Sequence, residues 1–284
     1  MMIRHDLHLH TPFSNCGKIN PEYLEKIYRR VKEKGYISSS NLRRLLVDEA
    51  VKDYIVNASK LGLKTLGFTD HYNIDTNPSI FDVLREIIKQ YNTNNVEILV
   101  GTESNVIDEK GKQSVPREIA EKLDFVIAGQ HHYQLSYVKK PPSQLDKFIE
   151  YCMIDIINTM RNPIVSAIGH PWLRAARYAR KYVDPSFTLE QVPLEYFFKT
   201  CEYSEKYDKP IQIDYNPEWE KTDGPYKGYQ KFLEIALAYN KCKIFYGSDA
   251  HRPDHLAMNL IYVNKKLKEY KVDKERIWEP RKPS

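Results

Sequence analysis

Short β-rich runs recur along the whole chain with helical patterns between them, and this alternation restricts the available folds more than any other feature. "MIRHDLHLH", "KTLGFTD", "VEILVGTES", "LDFVIAGQH", "VSAIGH", "PIQIDYN" and "KIFYGSDAH" read as seven strands. Strands separated by helices imply parallel βαβ units. No strand runs into a GxGxxG turn, which argues against a dinucleotide-binding open sheet and for a barrel. The 284 residues suit one α/β barrel, so the expectation is a single domain over 1–284. Two helices, "PEYLEKIYRRVKEK" and "NLRRLLVDEAVKDYIVNASKLG", precede the second strand, the latter capped at Gly62. That connection exceeds what one crossover needs, so residues of about 35–50 read as a helical insertion at a rim. "WEPRKPS" reads as a short C-terminal tail.

The first strand places Ile3, Leu7 and Leu9 on one parity and Asp6, His8 and His10 on the other, the pattern of a half-buried strand. His8 and His10 then point to one side, where two imidazoles can share a cation. Of nine histidines, seven fall at or just past a strand's C-terminal end: His8, His10, His71, His131, His132, His170 and His251. Asp70, Glu103 and Asp249 stand at matching places. In a parallel α/β barrel these ends form one face, so groups far apart in sequence meet there. Burying so many imidazoles and carboxylates together without a cation would leave charge and donors uncompensated. His132 is expected to face outward or to support its neighbour, because adjacent strand residues point oppositely. His5 and His255 read as polar surface.

Composition narrows the class further. A formal charge of +5 favours anionic small molecules but falls short of a dedicated nucleic-acid binder. The four cysteines, Cys16, Cys152, Cys201 and Cys242, form no CxxC pair and read as reduced thiols. No apolar run approaches a membrane span and the first residues lack a signal-peptide pattern, so a cytoplasmic protein without a membrane partner is expected. No feature fixes an oligomeric state.

These motifs resemble those of the PHP (polymerase and histidinol phosphatase) domain family. They stand here as Asp6-Leu7-His8-Leu9-His10-Thr11, Thr69-Asp70-His71, Gly101-Thr102-Glu103, Val126 to His131, Gly169-His170-Pro171 and Ser248 to His251. The resemblance implies a distorted (β/α)7 TIM-like barrel with two or three divalent ions at the C-terminal strand ends. By the same resemblance His8, His10, Glu103 and Asp249 would hold one ion, Glu103 would bridge to a second held by His131 and His170, and His71 and His251 would help hold a third. Many three-metal members carry a further histidine where Cys16 stands here. Either a thiolate replaces it and softens the site towards zinc, or the third ion is weak or absent.

Zn, Mn or Fe would suit the mixed ligands. Two such ions bridged by Glu103 and a hydroxide would supply a nucleophile at neutral pH for in-line phosphoester hydrolysis. "GHPWLRAARYARKY" places Arg174, Arg177 and Lys181 at helical spacings on one face, with Arg174 the first candidate for a bidentate phosphate contact. Asn216 could orient water or substrate, and Trp172 and Tyr215 could wall a pocket. The expected activity is metal-dependent hydrolysis of a small phosphomonoester, most concretely one like histidinol phosphate, with Asp249, His251 and Arg174 as catalytic residues. A nuclease or nucleotide phosphodiesterase is the alternative within the chemistry, which ranks nucleic acid behind a small phosphorylated substrate. A metal-binding domain without catalysis is the alternative outside it.

Overall fold

Among the described residues, seven strand positions, all parallel, form the framework, as the alternation predicts. They are β1 (His5–Leu9), β2 (Thr65–Phe68, resuming at His71–Tyr72), β3 (Glu97–Val100, resuming at Thr102–Asn105), β4 (Val126–Gly129), β5 (Ala167–Ile168), β6 (Ile211–Ile213) and β7 (Ile244–Tyr246). The computed structural model describes residues 3–14, 39–93 and 95–280, with 21, 24, 25, 28 and 29. The lower halves of β2 and β3 pair with β1, while their upper halves join β4 to β7 in one continuous sheet. A parallel bridge between Leu9 and Ala250, with His10 N donating to Ala250 O at 2.9 Å, brings the chain after β7 back to β1. The result is a distorted (β/α)7 barrel.

Leu7, Leu99, Phe125, Ile127, Ala167 and Phe245 meet as one apolar cluster. Side chains from β1, β3, β4, β5 and β7 can converge in this way only inside the barrel. Trp278 closes the cluster from below, its backbone N–H donating to Ile244 O and its ring edge-on to Phe125 and Phe245. The expected C-terminal tail therefore begins against the barrel floor, while 281–284 lie outside the described residues. The larger core lies between barrel and helices and includes Ile3, Leu9, Tyr54, Phe68, Ile168, Ile211, Ile213 and Ile244.

The covering helices are α1 (Ser39–Leu61), α2 (Ser79–Lys89), α3 (Leu145–Arg161), α4 (Leu173–Tyr182), α5 (Leu194–Tyr207), α6 (Tyr229–Ala238) and α7 (Leu260–Glu269). Gly62 ends α1 at φ +69°, a conformation that suits a residue without Cβ. Residues 39–50 of the expected rim insertion are the first half of α1, and 35–38 lie outside the described residues. The helix read over 21–34 also lies outside them, apart from the five positions named above, which are helical.

The structure corrects the reading of β1 as a simple two-faced strand. Its register against β2 slips between Asp6 and Leu9, so three steps of β1 oppose two of β2. That bulge resets the in–out alternation. Leu7 fills the barrel interior, while His8 and His10 both reach the upper rim.

Candidate metal centre

Eight predicted residues, His8, His10, His71, Glu103, His131, His170, Asp249 and His251, come together at the C-terminal end of the barrel. Cys16 lies outside the described residues. Glu103 is buried at the centre and its two oxygens face different histidines. Oε2 is 3.3 Å from His8 Nε2, 3.4 Å from His10 Nε2 and 2.8 Å from His71 Nδ1. Oε1 is 2.7 Å from His170 Nε2 and 3.5 Å from His131 Nδ1. Asp249 Oδ1 adds itself 3.2 Å from His10 Nε2 and 3.3 Å from His251 Nε2. His251 stacks on His10, ring centres 4.2 Å apart and planes within 3°.

Surrounding groups fix the tautomers. His8 Nδ1–H donates to Gln212 Oε1 at 2.8 Å, and Gln212 Nε2 donates to Gly247 O. His10 Nδ1–H donates to Ser14 Oγ at 2.7 Å, whose own proton goes to Asp70 at 2.6 Å. Both Nε2 atoms therefore present bare lone pairs, 3.0 Å from each other and facing the two carboxylates. Among the described residues, Glu103 Oε2 and Asp249 Oδ1 have no hydrogen-bond donor. Acceptors packed against acceptors, with no proton among them, fit a cation and little else.

Burial favours the neutral form of His10, His71, His131, His170 and His251. It pushes His10, His170 and His251 down to about 4 and lowers His71 and His131 as well. Glu103 is pushed up by burial, but its electrostatic interactions with His131, His8 and His71 outweigh this and hold it well below the usual carboxylate range.

Arg174 forms an ion pair with Asp249 Oδ2, the oxygen turned away from the histidines. With Arg177 and Lys181 it lines a cavity of about 330 Å³ that opens from the cluster and is also bordered by Tyr133, Tyr178 and Tyr182. A smaller cavity lies on the other side of the Arg174–Asp249 pair, lined in part by Asp214, Asn216 and Trp219. Asn216 also caps the short helix Pro217–Glu220 by accepting from Glu218 N. Trp172 and Tyr215 line neither cavity: Trp172 packs edge-on to Phe197 with its N–H on Thr200, and Tyr215 bonds to Gln230.

One histidine expectation is corrected, that His5 lies on the surface, and of the two offered for His132 the structure favours support of its neighbour over an outward ring. His132 has φ +59°, which breaks strand alternation and turns its ring against both His131 and His71. His5 is fully buried at the barrel base, accepting from Tyr246 N and meeting Glu279. His255 is exposed, as expected. Gln212 and Ser14 were not singled out as site residues. A polar residue between two isoleucines in "IQI" was the available signal for Gln212, since one face of that strand had to turn inward.

The family model described as PHP domain matches residues 47–185. A probable phosphatase of Caldanaerobacter subterraneus subsp. tengcongensis is 32% identical over 198 residues, 68% of this chain and 66% of that protein. Another, from Clostridium botulinum, is 30% identical over 139 residues, 48% of this chain and 54% of that protein. The chain spans about half the length of several such relatives. Among solved structures, histidinol phosphate phosphatase from Lactococcus lactis, crystallised with zinc, L-histidinol and phosphate, superposes with a TM-score of 0.62 at 15% identity, covering 95% of this chain and 94% of that one. At that identity the likeness is one of fold.

Proposed function

Because this chain belongs to the PHP domain family, we propose that it is a metal-dependent phosphoesterase acting on a small phosphomonoester. One observation carries the proposal: Glu103 divides its two oxygens between separate sets of histidines in a buried site that opens onto an arginine-lined cavity. In this reading His8, His10, Glu103 and Asp249 hold one divalent ion, Glu103, His131 and His170 a second, and His10, His71 and His251 make room for a third. Zinc, manganese or iron there supplies Lewis acidity and a nucleophile that is available at neutral pH.

The chain's own groups supply the rest. Gln212 and Ser14 hold His8 and His10 in the tautomer that offers Nε2. Arg174 orients Asp249 through Oδ2 and keeps further N–H groups for donation to phosphoryl oxygens. His251 is neutral and stands at the cavity's edge. The name of the Lactococcus lactis protein makes histidinol phosphate one substrate to test.

The test combines elemental analysis with hydrolysis of an aryl phosphomonoester and its diester by the same sample. Two or three ions per chain with metal-dependent monoesterase activity is the expected result. Asp249→Asn and His10→Ala should each abolish turnover with the circular-dichroism spectrum unchanged, and wild-type activity in either would overturn the assignment. Diesterase activity alone would favour the nuclease reading. A protein that stays metal-free and inactive after added Zn or Mn would refute both.

A further inference from the structure

The larger cavity carries a charge asymmetry that one phosphoryl group does not use. Arg174, Arg177 and Lys181 reach one wall because they stand three and four residues apart on α4. The Arg174 guanidinium is paired with Asp249 through one nitrogen. Arg177 is exposed and meets no carboxylate among the described residues. Lys181 likewise has no carboxylate partner among them, its Nζ standing 4.9 Å from the centre of the Tyr182 ring. Among the described residues, the one carboxylate bordering this cavity is Glu103, which lies buried in the histidine cluster. The smaller cavity differs in character, since Asp214 and Asp249 both border it. A cationic leaving group in the larger space would face two uncompensated positive charges, whereas an anionic one would pair with them.

Resting on the phosphomonoesterase reading, we infer that the preferred substrates carry a second oxyanion on the leaving group, a carboxylate or a second phosphate, received by Arg177 and Lys181. Arg174 then serves the phosphoryl group that is cleaved, and the next turn of α4 serves the part that departs. This selects against an amine-bearing leaving group such as histidinol.

The test measures kcat/KM of the manganese-loaded full chain, at one ionic strength, for glycerol 1-phosphate, 3-phosphoglycerate, a hexose bisphosphate and histidinol phosphate. At least one of the two substrates with a second oxyanion should exceed both others by about tenfold. Which of the two leads separates a carboxylate from a phosphate. The double variant R177Q/K181Q should bring that ratio towards one, while the charge-conserving R177K/K181R should keep it. Equal rates on all four substrates, or a preference for histidinol phosphate, would overturn this inference and leave the phosphomonoesterase standing. Hydrolysis of none of them by a protein that binds its ions would overturn the phosphomonoesterase reading and this inference with it.

Discussion

The Ser14 hydroxyl accepts a hydrogen bond from His10 Nδ1–H, donates one to Asp70, and accepts another from the His71 backbone N–H at 3.2 Å. Asp70 is further held by Thr11, through both the backbone N–H and the hydroxyl at 2.7 Å. A single small side chain thus orients one imidazole and ties down the strand end carrying another. Ser14→Ala removes the acceptor that fixes the His10 tautomer while leaving every candidate ligand in place. Ion affinity should fall about 10- to 100-fold, as for other groups that orient a metal-binding histidine. Retention of manganese against a chelator reads this directly, and unchanged retention would refute the orienting role. Arg174→Ala should act differently, raising KM for phosphorylated substrates about tenfold through loss of a phosphate contact. An unchanged KM would remove Arg174 from the substrate's surroundings.

Among the strands, close approach of backbones sets the site. A Cβ on Gly247 would stand 2.4 Å from His8 Cβ, and one on Gly129 would stand 2.7 Å from His170 Cε1. Gly247→Ala must therefore push β1 and β7 apart where His8 meets Gln212. It should destabilise the fold by about 1–3 kcal/mol, the range for an overpacked core, and lower the bound-ion count. Thermal unfolding and elemental analysis of the variant check both, and wild-type values in each would show that the two strands yield without cost. From α1, the Tyr54 hydroxyl reaches both Ala250 O at 2.9 Å and His10 O at 3.2 Å, clamping the same two chain segments from outside. All seven strands were legible in the sequence because each is short, apolar and bounded by turn residues. The convergence of His8, His71, Glu103, His131, His170 and Asp249 was legible because parallel topology gathers strand ends on one face. The β1 bulge, the inward turn of His132 and the burial of His5 were not, since each depends on a partner distant in sequence. His170, Trp172 and Asp249 also lie at positive φ, which no single-residue propensity indicates.

For the molecule as a whole, the cluster couples stability to pH and to ions. Burial holds His10, His170 and His251 at about 4 in the folded protein, below the 6.5 of an unstructured chain. Between those values the unfolded chain binds protons that the native state refuses. Stability of the metal-free protein should therefore be flat above about pH 7 and fall as pH drops through 6.5 towards 4. Each group that titrates only when unfolded contributes at most about 1.4 kcal/mol per pH unit across that window. Glu103, held low by its histidines despite burial, acts in the same direction below 4.5, the ordinary glutamate value, because the unfolded carboxylate protonates first. Ions that occupy the Nε2 lone pairs should raise the melting temperature at pH 7, and that gain should shrink on acidification because protons compete for the same lone pairs. Melting curves of chelator-treated and manganese-loaded protein at pH 8, 7, 6 and 5 separate the two effects. Equal melting temperatures for the metal-free protein at pH 7 and pH 5 would mean that the histidines titrate freely in the folded state, and the buried, lone-pair-rich cluster would lose its physical basis.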